Sequence, residues 1–185
     1  MGGNVPHLDM SARPAALRAA DLLAVLEPFA AATDAGAVVD VLRRYGEPEP
    51  VTLTPADIAG LARAARALWA VFLATSADAA ARHLNTILGT YASAPRLSDH
   101  DGTPWHLHVD HEDESPWEEW LASSSALALA TLLAERQANP AGRCASARCG
   151  RPFIDLGRGD PRRYCSARCS TRERVVAHRQ APRVA

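Results

Sequence analysis

Apolar residues recur along most of the chain at helical spacing. From Pro14 to about Ala32, Leu17, Leu22, Leu23, Val25, Leu26 and Phe29 supply the apolar face of a first helix. Pro28 falls late in this run and bends or ends it, because proline lacks an amide hydrogen and crowds the preceding turn. A short helix is expected from Ala35 to Tyr45, with Gly46-Glu47-Pro48-Glu49-Pro50 as a linker after it. Thr54-Pro55-Ala56-Asp57 opens a third helix that runs to about Ala74. Threonine caps, proline takes the first helical position, and the aspartate faces the positive end of the helix dipole. Its inward set is Ile58, Leu61, Leu68, Trp69, Phe72 and Leu73, and Asp78 to Tyr91 follows as another helix with Leu84, Ile87 and Leu88 inward.

The period then changes. Arg96-Leu97 and the stretch from Trp105 to Val109 flank Asp99-His100-Asp101-Gly102, and Asp-Gly suits a hairpin turn. Trp105, Leu107 and Val109 alternate with His106, His108 and Asp110, as a strand with two unlike faces requires. Ser115-Pro116-Trp117-Glu118 repeats the cap, proline and acid pattern and starts a long helix to about Gln137. Asn139-Pro140-Ala141-Gly142 ends it. Residues 1–13 show no periodicity and read as a flexible start. The expected fold class is mainly α (α+β). Residues 1–142 form a helical body with a small β-hairpin, able to fold by itself, and residues 143–185 form a separate C-terminal module.

Composition adds bounds. A chain of 185 residues with 48% hydrophobic content accommodates one domain and a small appendix. Abundant alanine and only 5% aromatic residues favour closely packed helices over a large sheet. No run of eighteen apolar residues occurs, so no membrane span is expected. The stretch Met1-Gly2-Gly3-Asn4-Val5-Pro6-His7 has neither the basic-then-apolar pattern of a secretory signal nor the serine or threonine of a myristoylation site. A cytoplasmic location follows as the expectation. In that compartment four cysteines are metal ligands or redox groups more often than disulfides.

The net charge of −1 hides an asymmetry. All 20 basic residues are arginine. From Arg143 onward, 11 arginines face Asp155, Asp160 and Glu173, a formal +8, whereas residues 1–142 hold 9 arginines against 18 acids, a formal −9. Zinc on four thiolates contributes −2 to the tail and leaves it at +6. A basic tail on an acidic body points to a polyanionic partner for the tail.

All four cysteines lie in that tail as Cys144-x4-Cys149 and Cys165-x3-Cys169, with fifteen residues between the pairs. Two close pairs across such a span are the grammar of a tetrahedral zinc site: each pair wraps one side of the ion, and the intervening segment folds back. Arg151 to Leu156 is expected as a strand, Gly157 to Pro161 as a turn, and Arg162-Arg163-Tyr164 as the return strand. Ser166 caps a helix through Arg179 that carries Cys169 in its first turn. A knuckle, a hairpin and a ligand-bearing helix make a treble-clef-like finger. Four thiolates leave no open coordination position, so the zinc is structural. This reading ranks above two disulfides or free thiols, and a redox-responsive zinc–thiolate site stays open on the same ligands.

Cys144-x4-Cys149, Phe153-Ile154-Asp155, Arg162-Arg163-Tyr164-Cys165-Ser166 and Cys169-Ser170-Thr171-Arg172 together resemble the CGNR-type zinc finger. The likeness covers about Arg143 to Arg179. In that family the finger follows a mostly helical ABATE domain, and the body resembles one in its Thr54 helix, its hairpin and the long helix leading to Cys144. The resemblance implies a bacterial, stress-induced transcription regulator. The name-giving motif keeps only Cys169 and Arg172 here, with Ser170 and Thr171 in place of glycine and asparagine. The ligand set therefore carries over, and the family asparagine's role does not.

Arg158, Arg162, Arg163, Arg168, Arg172, Arg174 and Arg179 are the candidate nucleic-acid contacts, since the guanidinium fork donates bidentately to phosphate and reads guanine edges. Arg168, Arg172 and Arg179, spaced by four and seven, share a helical face. His100, His106, His108 and His111 suggest a second metal site, but an exposed polar strand face ranks above it, as no third fixed ligand is evident. Glu112-Asp113-Glu114 with Glu118-Glu119 reads as a solvated acidic stretch rather than a catalytic pair. Ser123-Ser124-Ser125 lacks nucleophile-elbow glycines, and Trp69, Trp117 and Trp120 read as core. The expectation is a non-enzymatic regulator that binds DNA through a finger holding one structural Zn²⁺, with a body that answers a small-molecule or protein signal. Oligomeric state, a homodimer included, stays open. The alternative is a protein-interaction module whose finger is purely structural.

Overall fold

Helix α5, Trp117–Arg136, is the axis on which the body is assembled. Around it pack α1 (Ala12–Val25), α3 (Pro55–Leu73) and α4 (Ala77–Tyr91), while α2 (Ala35–Arg44) lies on α1. These observations come from a computed structural model, which describes residues 12–26, 33–99, 105–111, 115–157 and 159–180. Short strands β1 (Arg96–Ser98) and β2 (His106–His108) pair antiparallel, as do β3 (Ala141–Arg143) and β4 (Pro152–Ile154), and α6 (Ala167–Gln180) closes the chain. The described residues thus give a mainly helical α+β protein with a small C-terminal metal module. Among them, no helix is long and apolar enough to cross a membrane.

Local chemistry sets the helix starts. Asp34 Oδ1 accepts from the Gly36 amide at 2.9 Å, and Ser76 Oγ from the Ala79 amide at 3.1 Å. At Thr54 the capping is reciprocal: Thr54 Oγ1 accepts from the Asp57 amide at 3.2 Å, and Asp57 Oδ2 accepts from the Thr54 amide at 2.8 Å. Amides that no helical carbonyl can reach are thereby satisfied. Thr54→Ala is expected to lower the unfolding free energy by about 1 kcal/mol, read as a shifted urea midpoint at unchanged slope. Ser115 behaves differently from the cap expected of it. Pro116 occupies the cap position without a side-chain bond, and Ser115 Oγ donates instead to Glu119 Oε1 at 3.0 Å.

The core lies where α1, α3 and α5 meet, around Leu22, Leu23, Leu61, Leu68, Phe72, Leu121 and Leu129. Each such buried side chain contributes about 1.5–3 kcal/mol relative to an exposed one. Ala16, Ala19 and Ala20 complete the buried stripe of α1, and their small side chains let the helices approach closely. That stripe leaves Leu17 outward and exposed. Leu73, expected inward, is also exposed, because Phe72 is the last α3 residue facing the core. Helix α1 ends at Val25, and Pro28 and Phe29 of the expected longer run lie outside the described residues.

In the first hairpin Val109 is buried, but the rest of the alternation is inverted relative to expectation. Leu97 and Trp105 are each 67% exposed and Leu107 is 48% exposed, whereas His106 and His108 turn toward the body and Asp110 is buried. Alternation says which residues share a face, not which face packs inward. Here the inner face is polar because its partners are polar. His108 Nδ1 lies 2.8 Å from Asp110 Oδ1 and Arg96 Nη2 donates to the same oxygen at 3.0 Å. The Asp101-Gly102 turn lies outside the described residues.

Candidate metal centre and basic helix

The boundary drawn at 142/143 falls inside β3, and this strand positions the first ligand. Ala141 pairs with Ile154, Gly142 with Phe153 and Arg143 with Pro152. Gly142 is needed for this register: a Cβ there would come within 2.9 Å of the Phe153 ring. Asn139 ties the same segment to the body by donating to the Val71 and Ala74 carbonyls at 2.9 and 3.3 Å, while its own carbonyl accepts from the Ala141 amide at 3.0 Å. Ala141 and Ile154 both belong to the body's core. The return strand expected at Arg162-Arg163-Tyr164 does not form, since β4 spends its ladder bonds on β3. One bond from the Ala145 amide to the Arg163 carbonyl, at 2.8 Å, brings that segment alongside the knuckle instead.

The knuckle runs from Cys144 to Gly150. The Cys144 amide donates to the Arg151 carbonyl at 2.9 Å and the Cys149 amide to the Ser146 carbonyl at 2.9 Å, which turns both sulfurs to one side. Gly150 sits at φ +64°, in the left-handed region where glycine carries no steric cost. Across from it, Ser166 Oγ accepts from the Cys169 amide at 3.3 Å and starts α6, so Cys169 occupies the first helical turn as expected.

Asp155 holds the return path. Its Oδ1 accepts from the Gly157 amide at 3.1 Å, its Oδ2 from the Arg162 amide at 3.0 Å, and Arg136 of α5 approaches the latter oxygen at 3.8 Å. The sequence marks Asp155 within the Phe153-Ile154-Asp155 motif without a role, and its place between a strand and a glycine-rich turn is ordinary Asx-turn chemistry.

The four thiols converge. Cys149 Sγ lies 3.6 Å from Cys165 Sγ, Cys165 Sγ lies 3.8 Å from Cys169 Sγ, and all four sulfurs lie within 4.8 Å of one another. Four sulfurs held about 2.3 Å from a tetrahedral zinc stand about 3.8 Å apart, so the cluster fits one structural zinc ion without rearrangement. Cys144 and Cys169 are buried and Cys149 and Cys165 are half-buried, and four thiolates fill the tetrahedral coordination of zinc. The thiols differ as acids. The Ser166 hydroxyl lowers Cys169 to about 7, and burial raises Cys165 to about 12. Zinc binding requires all four as thiolates, and the positive end of α6 adds to the ion's field at Cys169. Among the described residues no other group of three or more metal-ligating side chains converges, His106, His108 and His111 included, and His100 lies outside the described residues.

The candidate arginines divide into two kinds. Arg162 is engaged: its Nη2 donates to the Tyr164 and Cys165 carbonyls at 3.3 and 2.8 Å, and its guanidinium lies 5.5 Å from the Phe153 ring centre. Arg172 is half-buried against the knuckle, with Nη1 3.4 Å from Ser146 Oγ, which itself donates to Glu173. Arg163 lies over the Tyr164 ring, and Arg174 donates to Thr171. Arg168 and Arg179 are exposed and make no ion pair or hydrogen bond with the described residues. Arg158 lies outside the described residues.

Helix α6 buries only Cys169, so most of its surface is open. At about 100° per residue, Arg168, Arg172 and Arg179 fall within roughly 40° of one another around its axis. No curated protein matches the chain. The CGNR zinc finger family model matches residues 141–181, from the first residue of β3 to just past the end of α6, and so takes in the ladder, the knuckle, all four cysteines and the basic helix.

Proposed function

We propose that this protein binds DNA through α6 and acts as a transcription regulator, with the zinc holding that helix in place. The observation that carries the reading is a 14-residue helix with four arginines and one buried residue, fixed at its start by a metal ligand. Such a helix presents its guanidinium groups to phosphate and has the dimensions to fit a major groove. The ABATE-like body and stress-regulator role implied by the sequence resemblance accord with this reading, as does the +8 tail beside the −9 body. Arg168 and Arg179 are assigned to phosphates, because they are exposed and unpaired. Arg162 is assigned to holding the finger together rather than to contact.

The test is titration of the zinc-loaded chain against mixed-sequence duplex DNA at several salt concentrations. If about five phosphates are neutralised, log K falls against log salt with a slope of roughly −4 to −5. Arg168→Ala and Arg179→Ala each weaken binding on all sequences and flatten that slope by about one unit. Absence of binding to DNA at low salt favours the second reading, a protein-interaction module. The 43% and 40% exposure of Val175 and Val176 on the same helix supports that alternative.

A further inference from the structure

Between α1, α5, the loop at Gly46 and the inward face of β2 lies a cavity of about 500 Å³, within the range that small ligands occupy. We propose that it is a binding site for a small organic anion with a flat apolar body, such as an aromatic carboxylate. The proposal stands apart from the nucleic-acid reading of α6 and uses none of its residues.

Arg18 is the anchor. Its guanidinium stacks over the Trp120 ring at 4.0 Å, its Nη2 donates to Ser124 Oγ at 3.0 Å, and its Nη1 reaches Glu47 Oε1 at 3.4 Å. Nε is buried with no hydrogen-bond partner among the described residues, and so is the hydroxyl of Ser123 on the same wall. Buried donors left unpaired cost stability, and such groups mark places that a ligand or ordered water satisfies.

Charge points the same way. Burial pushes the Arg18 guanidinium down to about 10 in spite of Glu47 and Tyr45, so its one ion pair, at 3.4 Å, does not offset the lost hydration. The carboxylate of the opposite wall is already taken, since Asp110 is held by Arg96 at 3.0 Å and by His108 at 2.8 Å. A ligand carboxylate would add a charged acceptor for the remaining Nη hydrogens of Arg18, a charge-assisted pairing that guanidinium favours. The remaining lining is the Trp120 ring with Ala15, Leu127 and Ala128, which suits a flat apolar body.

The experiment is calorimetric titration of the zinc-loaded full chain with benzoate, 2-naphthoate and indole-3-acetate, each beside its uncharged amide. At least one acid is expected to saturate with a Kd below about 1 mM and to bind at least about tenfold more tightly than its amide. Arg18→Gln should remove that preference. Ala15→Phe, which fills the cavity and disturbs no ion pair, should abolish binding of both forms and carries the test alone should Arg18→Gln fail to fold. The proposal is overturned if no acid binds at about 10 mM, if amide and acid bind alike, or if Ala15→Phe leaves binding unchanged.

Discussion

Removing zinc, or replacing Cys165 with serine, is expected to unfold the knuckle and the chain from Gly159 to the end of α6, while the body's helices and the β3–β4 ladder packed on them persist. The finger's own core consists of Cys144, Phe153 and Cys169, with Cys149, Tyr164 and Cys165 against it. Four of those six residues are the ligands. Without the metal that cluster is two aromatic rings and four thiols, far too little to offset the cost of ordering some thirty residues at about 1–2 kcal/mol each. Zinc binding contributes on the order of 10–16 kcal/mol in finger-sized units, the largest single stabilising term available to the module. Helix α6 cannot persist alone, because it buries one residue and its length is marginal for an isolated helix. Elemental analysis should give one zinc per chain. Chelation should remove circular-dichroism signal equivalent to α6, and Cys165→Ser should reproduce that loss without added chelator. A metal-free chain with four free thiols and an unchanged spectrum would show that the cluster folds by packing alone.

What was legible in the sequence follows from how local each signal is. Thr54-Pro55-Ala56-Asp57 contains its whole argument within four residues, and the cap forms as expected. The two cysteine pairs are equally explicit, since tetrahedral coordination admits few other uses of that spacing. Signals that depend on a distant partner read less well. His108 faces inward onto Asp110, which Arg96 of the paired strand holds there, and nothing in a period of two reveals that. Strand β4 pairs with β3 rather than with Arg162-Arg163-Tyr164 because the knuckle already brings its two ends together, a closure that precedes any hairpin. The arginines show a third kind of ambiguity. Arg162 and Arg168 look alike in sequence and are both exposed, yet one is consumed by the carbonyls it holds and the other makes no hydrogen bond with the described residues. Arg18 gave no signal at all, since one arginine in an alanine-rich helix is indistinguishable from a solvated one until Trp120 and Glu47 are seen around it.

The placement of β4 leads to the second large effect. A fragment comprising residues 1–142 is expected to be less stable than one comprising residues 1–157 by about 3–5 kcal/mol, although the two share every helix of the body. The shorter fragment ends within β3 and loses Ile154, which is 5% exposed and belongs to the body's core, together with Leu156 packed beside it. Burial of one isoleucine is worth about 1.5–3 kcal/mol, and half-buried Leu156 adds a smaller amount. The amide of Asp155, which donates to the Pro140 carbonyl at 2.7 Å, is lost as well, leaving that carbonyl without its partner. Strand β4 packs on α1, so its removal uncovers the helix that also carries Arg18. Urea unfolding of the two fragments under reducing, zinc-free conditions measures the difference. At about 2–4 °C per kcal/mol for a domain of this size, the longer fragment should melt roughly 6–20 °C higher. Ile154→Ala in the zinc-loaded full chain provides an independent reading, with an expected loss of about 2–4 kcal/mol concentrated in the body's transition rather than the finger's. Equal stability of the two fragments would mean that β4 is held by the zinc knuckle alone and contributes nothing to α1. In that case the body and the finger would melt independently, and a change in one would not reach the other through this strand.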